Sequence, residues 1–313
     1  MEAPKHSEIL LESGTNELQV LEFKIDDHLF GINVAKVEEI LVVRETTPMQ
    51  KSHPDVEGIF RPRDDVVTVI DMAHYLNLPA SSDPEHDIFI LTRFNQRQFA
   101  FHVHSVVGII RISWTHMQKP DQLIYGGEEG VATAIAEFDG QLITILDFEK
   151  IVAEICPQTG IQYEDVEKLG TRSRRECPIL IAEDSMLLSK IIVESLHRAG
   201  YVNTVKTDNG QEAWDYLSEA LESGDDIRSL VACVVSDIEM PQMDGHRLTK
   251  LIKESPVLRK IPVILFSSLI DEEMRRKGEQ LGADAQISKP EIAQLVTLID
   301  KFTTDAPEPE ADE

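Results

Sequence analysis

The stretch VVSDIEMPQMDGHRL, residues 234–248, decides how the second half of this chain is read. An apolar run of strand character stops at Asp237, Glu239 follows two residues on, and a Met-Pro step leads into a Met-Asp-Gly turn. A strand that is one continuous apolar run is buried on both faces, as in a parallel sheet. The acid at its end is either a cap for the next helix or the reason for the loop. From Pro178 onward the same grammar repeats. The strand segments are PILIA, YVNTVKT, LVACVVS, IPVILFS and AQIS, and each is followed by a helical pattern, from SMLLSKIIVESLHRA, which ends in Gly200, to EIAQLVTLIDKF. Five βα units predict an open, doubly wound parallel sheet with helices on both faces.

In such a sheet ligands bind at the carboxyl edge of the strands. The residues just past the strands form a coherent set: Glu183 and Asp184 after the first, Asp237 after the third, Ser267 closing the fourth, and Lys289 with Pro290 after the fifth. Helix capping accounts for any one of these acids alone, but not for five groups arriving at one rim. Three adjacent carboxylates repel one another unless a hard cation joins them, and Mg²⁺ is the natural occupant. A carboxylate is ionised at neutral pH and can attack phosphorus to give an aspartyl phosphate. Lys289 supplies a point charge for a phosphoryl oxygen and Ser267 a hydroxyl donor. The set is equipped for phosphoryl acceptance.

These motifs resemble the receiver domain of two-component response regulators across residues 178–302. The acidic pair follows the first strand, D-x-x-M-P-x-M-D-G surrounds the third, and K-P follows the fifth. Thirty residues separate Asp237 from Ser267 and twenty-two separate Ser267 from Lys289, as is usual for receivers. The resemblance implies a flavodoxin-like α/β domain in which Asp237 is the phosphoacceptor. Glu183, Asp184, Asp237 and the main-chain carbonyl of Glu239 would be metal ligands, Ser267 the switch hydroxyl and Lys289 the phosphoryl-pairing amine. Two departures stand out: the added stretch ALESGDDIRS before the third strand, and Gln286 where many receivers carry an aromatic.

The first half reads in a different period. Between residues 18 and 155 short apolar runs and alternations such as LQVLEFKI, DVVTVIDM, DIFILTRF and QLITILDF are separated by turn-rich segments, which predicts an all-β barrel or sandwich. His102 and His104 share a strand face, but no third metal ligand accompanies them, and packing is the expected role. Trp114 in RISW is expected in a core or at a partner contact. The charged stretch 156–177 reads as a linker, 1–17 as an N-terminal segment and 303–313 as an acidic disordered tail. Fifty-six acidic against thirty basic residues, a net charge of −26, argue against nucleic acid and anionic membrane surfaces as partners. Three scattered cysteines without a CxxC pair suggest neither disulfides nor zinc. The start of the chain lacks a secretion signal and no run is long enough to cross a bilayer, so a cytoplasmic protein is expected.

LQVLEFKIDDHLFGINVAKVEEI, VEGIFRPRDDVVTVIDM and GQLITILDFEKIV resemble the CheW-like coupling domains. That family implies a pair of five-stranded barrels and places Arg63 as a candidate receptor or kinase contact, although Pro62 and Asp64 replace its usual neighbours. CheW-like followed by receiver is the order of the CheV-type chemotaxis coupling proteins. The resemblance implies a non-enzymatic scaffold joining chemoreceptors to the histidine kinase CheA and regulated by Mg²⁺-dependent phosphorylation of Asp237, in adaptation or as a phosphate sink. It also implies association with membrane-bound receptor arrays. The alternative is a Mg²⁺-dependent phosphatase or phosphotransferase using the same aspartate, with Glu239 cast as a general acid. The sequence offers no cap domain to enclose a substrate for it.

Overall fold

The computed structural model describes residues 17–94, 97–113, 116–118, 120, 130–157, 161, 163–170, 172–223, 226–268 and 272–304. Trp114, most of the N-terminal segment and most of the acidic tail lie outside these. The chain forms two domains in contact. In the first, strands β1 (Glu17–Ile25), β2 (His28–Asn33), β3 (Val37–Val42), β4 (Val56–Phe60) and β5 (Val67–Asp71) precede a one-turn helix, α1 (Met72–Tyr75). Then come β6 (Ile88–Phe94), β7 (Arg97–Val103), β8 (Ser105–Ser113), β9 (Met117–Gln118), β10 (Ala132–Phe138), β11 (Gln141–Leu146) and helix α2 (Phe148–Ile155).

These strands build two sheets, ordered β8-β1-β2-β11-β10-β9 and β3-β6-β7-β5-β4. The first has six strands where five are expected, the extra one being the two-residue β9 paired on the edge of β10. Tight hairpins set the register. Asp139 and Gly140 both take positive φ, 48° and 74°, in the two-residue turn joining β10 to β11, the geometry that Asp-Gly adopts without strain. Phe23 and Phe30 of one sheet meet Ile70 and Phe101 of the other in a shared core. Helix α2 closes that core: the Phe148 ring packs edge-on against Phe101 at 4.6 Å and Phe23 at 6.2 Å. Phe148 thus fixes the rotation of α2, and Glu149 beside it faces the second domain.

The segment after α2 carries a short helix, α3 (Tyr163–Glu167), and its Val166 joins Ile161 in the core of the second domain. The second domain continues with β12 (Ile179–Ala182), α4 (Met186–Arg198), β13 (Thr204–Thr207), α5 (Gly210–Ser223), α6 (Ile227–Leu230), β14 (Cys233–Ser236) and α7 (Gly245–Glu254). It ends with β15 (Val263–Ser267), α8 (Glu272–Leu281), β16 (Ala285–Ser288) and α9 (Ile292–Thr304). All pairings are parallel, in the order β13-β12-β14-β15-β16. Every residue of β12, β14 and β15 is buried, as continuous apolar runs require when helices cover both faces. Ile192 and Leu196 of α4 pack with Leu295 and Ile299 of α9 on one face, and Leu217 of α5 with Leu248 and Ile252 of α7 on the other. The added stretch before β14 extends α5 and forms α6, whose Ile227 is buried in the second of these layers.

Candidate functional site

The caps of the helices decide what the rim acids are for. Helix α4 is capped by Ser185, whose side chain accepts from the Leu188 N–H, and α7 by Asp244, which accepts from the Arg247 N–H at 2.7 Å. Asp237 instead stands at the end of β14, held in register by its own N–H donating to the Ala182 carbonyl at 2.9 Å. The loop behind it is tight. Gln242 takes φ 62°, the Gly245 N–H donates to the Ile238 carbonyl, and a β-carbon on Gly245 would lie 2.0 Å from the Asp237 carbonyl oxygen. Glycine is therefore required where the loop folds back on the strand end.

The rim groups do converge. Glu183, Asp184 and Asp237 offer carboxylate oxygens that all lie within 4.8 Å of one another. Lys289 is 1% exposed and reaches across from the end of β16, its Nζ 2.9 Å from Asp237 Oδ2 and 3.0 Å from Glu183 Oε2. Ser267 is buried at the end of β15, with Ser268 buried beside it. Glu239 has both carboxylate oxygens buried without a hydrogen-bond partner. Burial, with the charges of Asp237 and Asp184 added, drives Glu183 well above the usual carboxylate range despite Lys289. Burial likewise pushes Asp184 up to about 7 against the pull of Lys36, and Glu239 up to about 8. Such a set favours either retained protons or a bound cation. Oxygen ligands this close together suit a hard divalent ion. A groove of ≈ 200 Å³ between the domains, lined by Asp184, Lys206, Gln242, Gln118 and Lys150, leads to it.

Groups of the first domain also reach the site, from a region where the sequence showed no chemistry, Glu149 and Lys36 foremost among them. Glu149 of α2 is buried, its Oε2 3.0 Å from Lys289 Nζ. Its Oε1 accepts from Ser268 Oγ at 2.9 Å and from Lys36 Nζ at 3.1 Å. Burial would raise its carboxyl, but Lys289 and Lys36 prevail and hold it below the usual range. Lys36 is itself held far above its ordinary value: burial opposes this, but Glu149, Glu239 and Asp184 prevail. The sequence signal for both was faint. Lys36 and Glu149 sit in NVAKVEEI and DFEKIV as single charges beside apolar residues, and only Lys36 had a hint, in the unbalanced acids of the rim that call for a cation.

The remaining candidates lie apart. Arg63 is exposed and makes a two-pronged contact with Glu39, its Nη2 3.1 Å from each carboxylate oxygen. His102 is bracketed by Glu57 at 2.7 Å and Asp87 at 3.0 Å, whereas His104 accepts from the Asp26 N–H. His102 lies on β7 whereas His104 falls just past its last residue, Val103, so the two do not share one strand and serve separate structural contacts. Gln286 is buried and donates to the Arg275 carbonyl of α8 at 2.7 Å.

Comparison with known families agrees with this division. Residues 19–156 match the CheW-like domain and residues 179–300 the response regulator receiver domain. The chain is CheV-like: a CheW-like domain followed by a receiver. It is 28% identical to chemotaxis protein CheV3 of Helicobacter pylori over 301 residues, covering 92% of this chain and 95% of that one. It is 25% identical to CheV1 of the same organism over 308 residues, covering 92% and 94%. Its CheW-like domain alone aligns with CheW of Thermotoga maritima at 27% identity over 151 residues, 48% of this chain and 98% of that one. This pairing of domains is one of chemotaxis signal coupling. No helix among the described residues is long and apolar enough to cross a membrane.

Proposed function

We propose that this protein is a chemotaxis coupler whose receiver domain accepts a phosphoryl group on Asp237. The observation that carries the reading is Lys289 Nζ 2.9 Å from Asp237 Oδ2, beside an acidic trio that includes Asp237 itself. A carboxylate oxygen of Asp237 attacks the phosphorus of a phosphohistidine on the partner kinase. The new O–P bond forms as the P–N bond breaks, and the electron pair leaves with the imidazole nitrogen. Asp237 needs no general base, since it reacts as the carboxylate. Lys289 pairs with one phosphoryl oxygen and Ser267 donates to another. Bound by Glu183, Asp184, Asp237 and the Glu239 carbonyl, Mg²⁺ would offset charge on the incoming oxygens.

The CheW-like domain supplies the contacts to chemoreceptors and to the kinase CheA, with Arg63 as a candidate contact, and so locates the protein at receptor arrays on the cytoplasmic side. Phosphorylation then adjusts coupling or drains phosphate from the kinase. Asp237→Ala is expected to keep receptor and kinase binding and to lose Mg²⁺-dependent label from the phosphorylated kinase. Label retained by that variant would overturn the assignment. The protein acts as a scaffold and not as a phosphatase; turnover of a generic phosphate ester that depends on Glu239 would reverse that reading.

A further inference from the structure

An ammonium has three protons to donate, and those of Lys289 face three carboxylates: Asp237, Glu183 and Glu149. The first two belong to the receiver domain. The third is delivered by α2 of the CheW-like domain, held in place by Phe148 in the β core. The same Glu149 carboxylate takes the Ser268 hydroxyl, one residue past the end of β15. An anionic group with two oxygens therefore sits on the receiver's ammonium and on a hydroxyl beside its switch position, which is where a phosphoryl group on Asp237 has to find its own partners. With α2 in place, Asp237 is 2% exposed and Lys289 1%.

We propose that Glu149 is a built-in competitor for the phosphoryl position, so that docking of the CheW-like domain and phosphorylation of Asp237 exclude each other. This rests on Asp237 being the phosphoacceptor. A phosphoryl group adds about −1.5 to −2 charge and three acceptor oxygens, and it needs the Lys289 proton that Glu149 holds. Like charges brought that close in a buried site repel strongly. Phosphorylation thus expels Glu149 and separates α2 from the receiver. Conversely, a docked chain shields Asp237 from the histidine of a protein donor. The carboxylate is a reversible stand-in whose displacement carries the signal to the coupling domain.

The test uses the full-length chain with acetyl phosphate and Mg²⁺, comparing wild type, Glu149→Gln, Glu149→Ala and Asp237→Ala. The acyl phosphate loses its phosphoryl group to Asp237 and leaves as acetate. Two readings are taken: the initial rate of Asp237 labelling, and amide hydrogen exchange over residues 148–155. Both Glu149 variants should label about tenfold faster than wild type, the factor that loss of about 1.4 kcal/mol of docking supplies. Their α2 amides should exchange faster before any phosphate is added, and wild-type amides should come to match them once labelled. Equal labelling rates and unchanged exchange, with Asp237→Ala unlabelled, overturn the competition while leaving the phosphoacceptor assignment standing. Absence of label at Asp237 in wild type and in both Glu149 variants removes the assignment and the competition with it.

Discussion

Replacing Gly245 by alanine tests how tightly the loop after β14 is bound to the phosphoacceptor. Gly245 does not take positive φ and it opens α7, so backbone preference alone favours alanine by up to about 1 kcal/mol. Space decides the other way. The added β-carbon would stand 2.0 Å from the Asp237 carbonyl oxygen, 2.9 Å from its carbonyl carbon and 2.9 Å from Ser236 Oγ. Two of these are main-chain atoms at the end of a buried strand, and relief must move Asp237 itself. Overpacking of this kind costs about 1–3 kcal/mol, and a 2.0 Å approach to main chain puts this case at the upper end, so the net loss should be about 1–2 kcal/mol. With a urea slope of about 2 kcal/mol per M, the receiver transition should fall by about 0.5–1 M, and Asp237 labelling should slow as well. Gly278→Ala is the control: the three atoms nearest its β-carbon all belong to the side-chain amide of Gln286, at 2.4–2.8 Å, and moving that amide costs at most its hydrogen bond to the Arg275 carbonyl, about 1 kcal/mol. It should shift the midpoint by less than about 0.5 M. A Gly245→Ala midpoint at or above wild type, or a loss no larger than that of the control, would refute the steric reasoning.

Lys289→Met strips the ammonium from three buried carboxylates. It should destabilise the receiver by about 3–5 kcal/mol in chelator-treated buffer, with part of the loss recovered on adding Mg²⁺, as urea titrations would show. In the CheW-like domain, burial favours neutral His102, but Glu57 and Asp87 overcome it and raise its pKa above 6.5. Glu57 is correspondingly held below 4.5, against its own burial, by His102 and Thr46. The His102 contribution is complete below 6.5 and is lost as pH rises through its raised value, while that of Glu57 is complete above 4.5 and is lost as pH falls through its lowered value. The pair therefore stabilises the domain most between 4.5 and 6.5, and His102→Gln should flatten the profile of thermal midpoint against pH. Asp300 of α9 gathers Arg172, Arg175 and the Tyr201 hydroxyl, so Asp300→Ala should speed tryptic cleavage at Arg172 and Arg175.

What could be read from the sequence was whatever repeats or runs continuously. The buried strands β12, β14 and β15 announce themselves as unbroken apolar runs, and their ends line up by topology alone, so Glu183, Asp184, Asp237, Ser267 and Lys289 could be placed together before any coordinates. The loop's own logic was half legible. MDG suggested a tight turn, but the division of labour, with Asp244 capping the helix and Asp237 left free of it, depends on three-dimensional register. Glu149 and Lys36 were not legible as site residues, because a charge next to an apolar stripe looks the same whether it meets water or another domain. Val166 was hidden in a stretch too short and too charged to show a period, yet it belongs to the receiver core.

The buried isoleucines at the two ends of the connection set how far the domains can part. Ile155 ends α2 inside the first core and Ile161 is held in the second, with only five residues between them. That leash spans at most about 20 Å fully drawn out. Release of Glu149 is accordingly a swing on a short tether, and the lost partner stays in the millimolar range of local concentration typical of short links. A latch confined in this way needs only weak intrinsic affinity to hold. It reseats as soon as the phosphoryl group leaves, so the duration of the open state should follow the lifetime of the aspartyl phosphate rather than any slow search by one domain for the other.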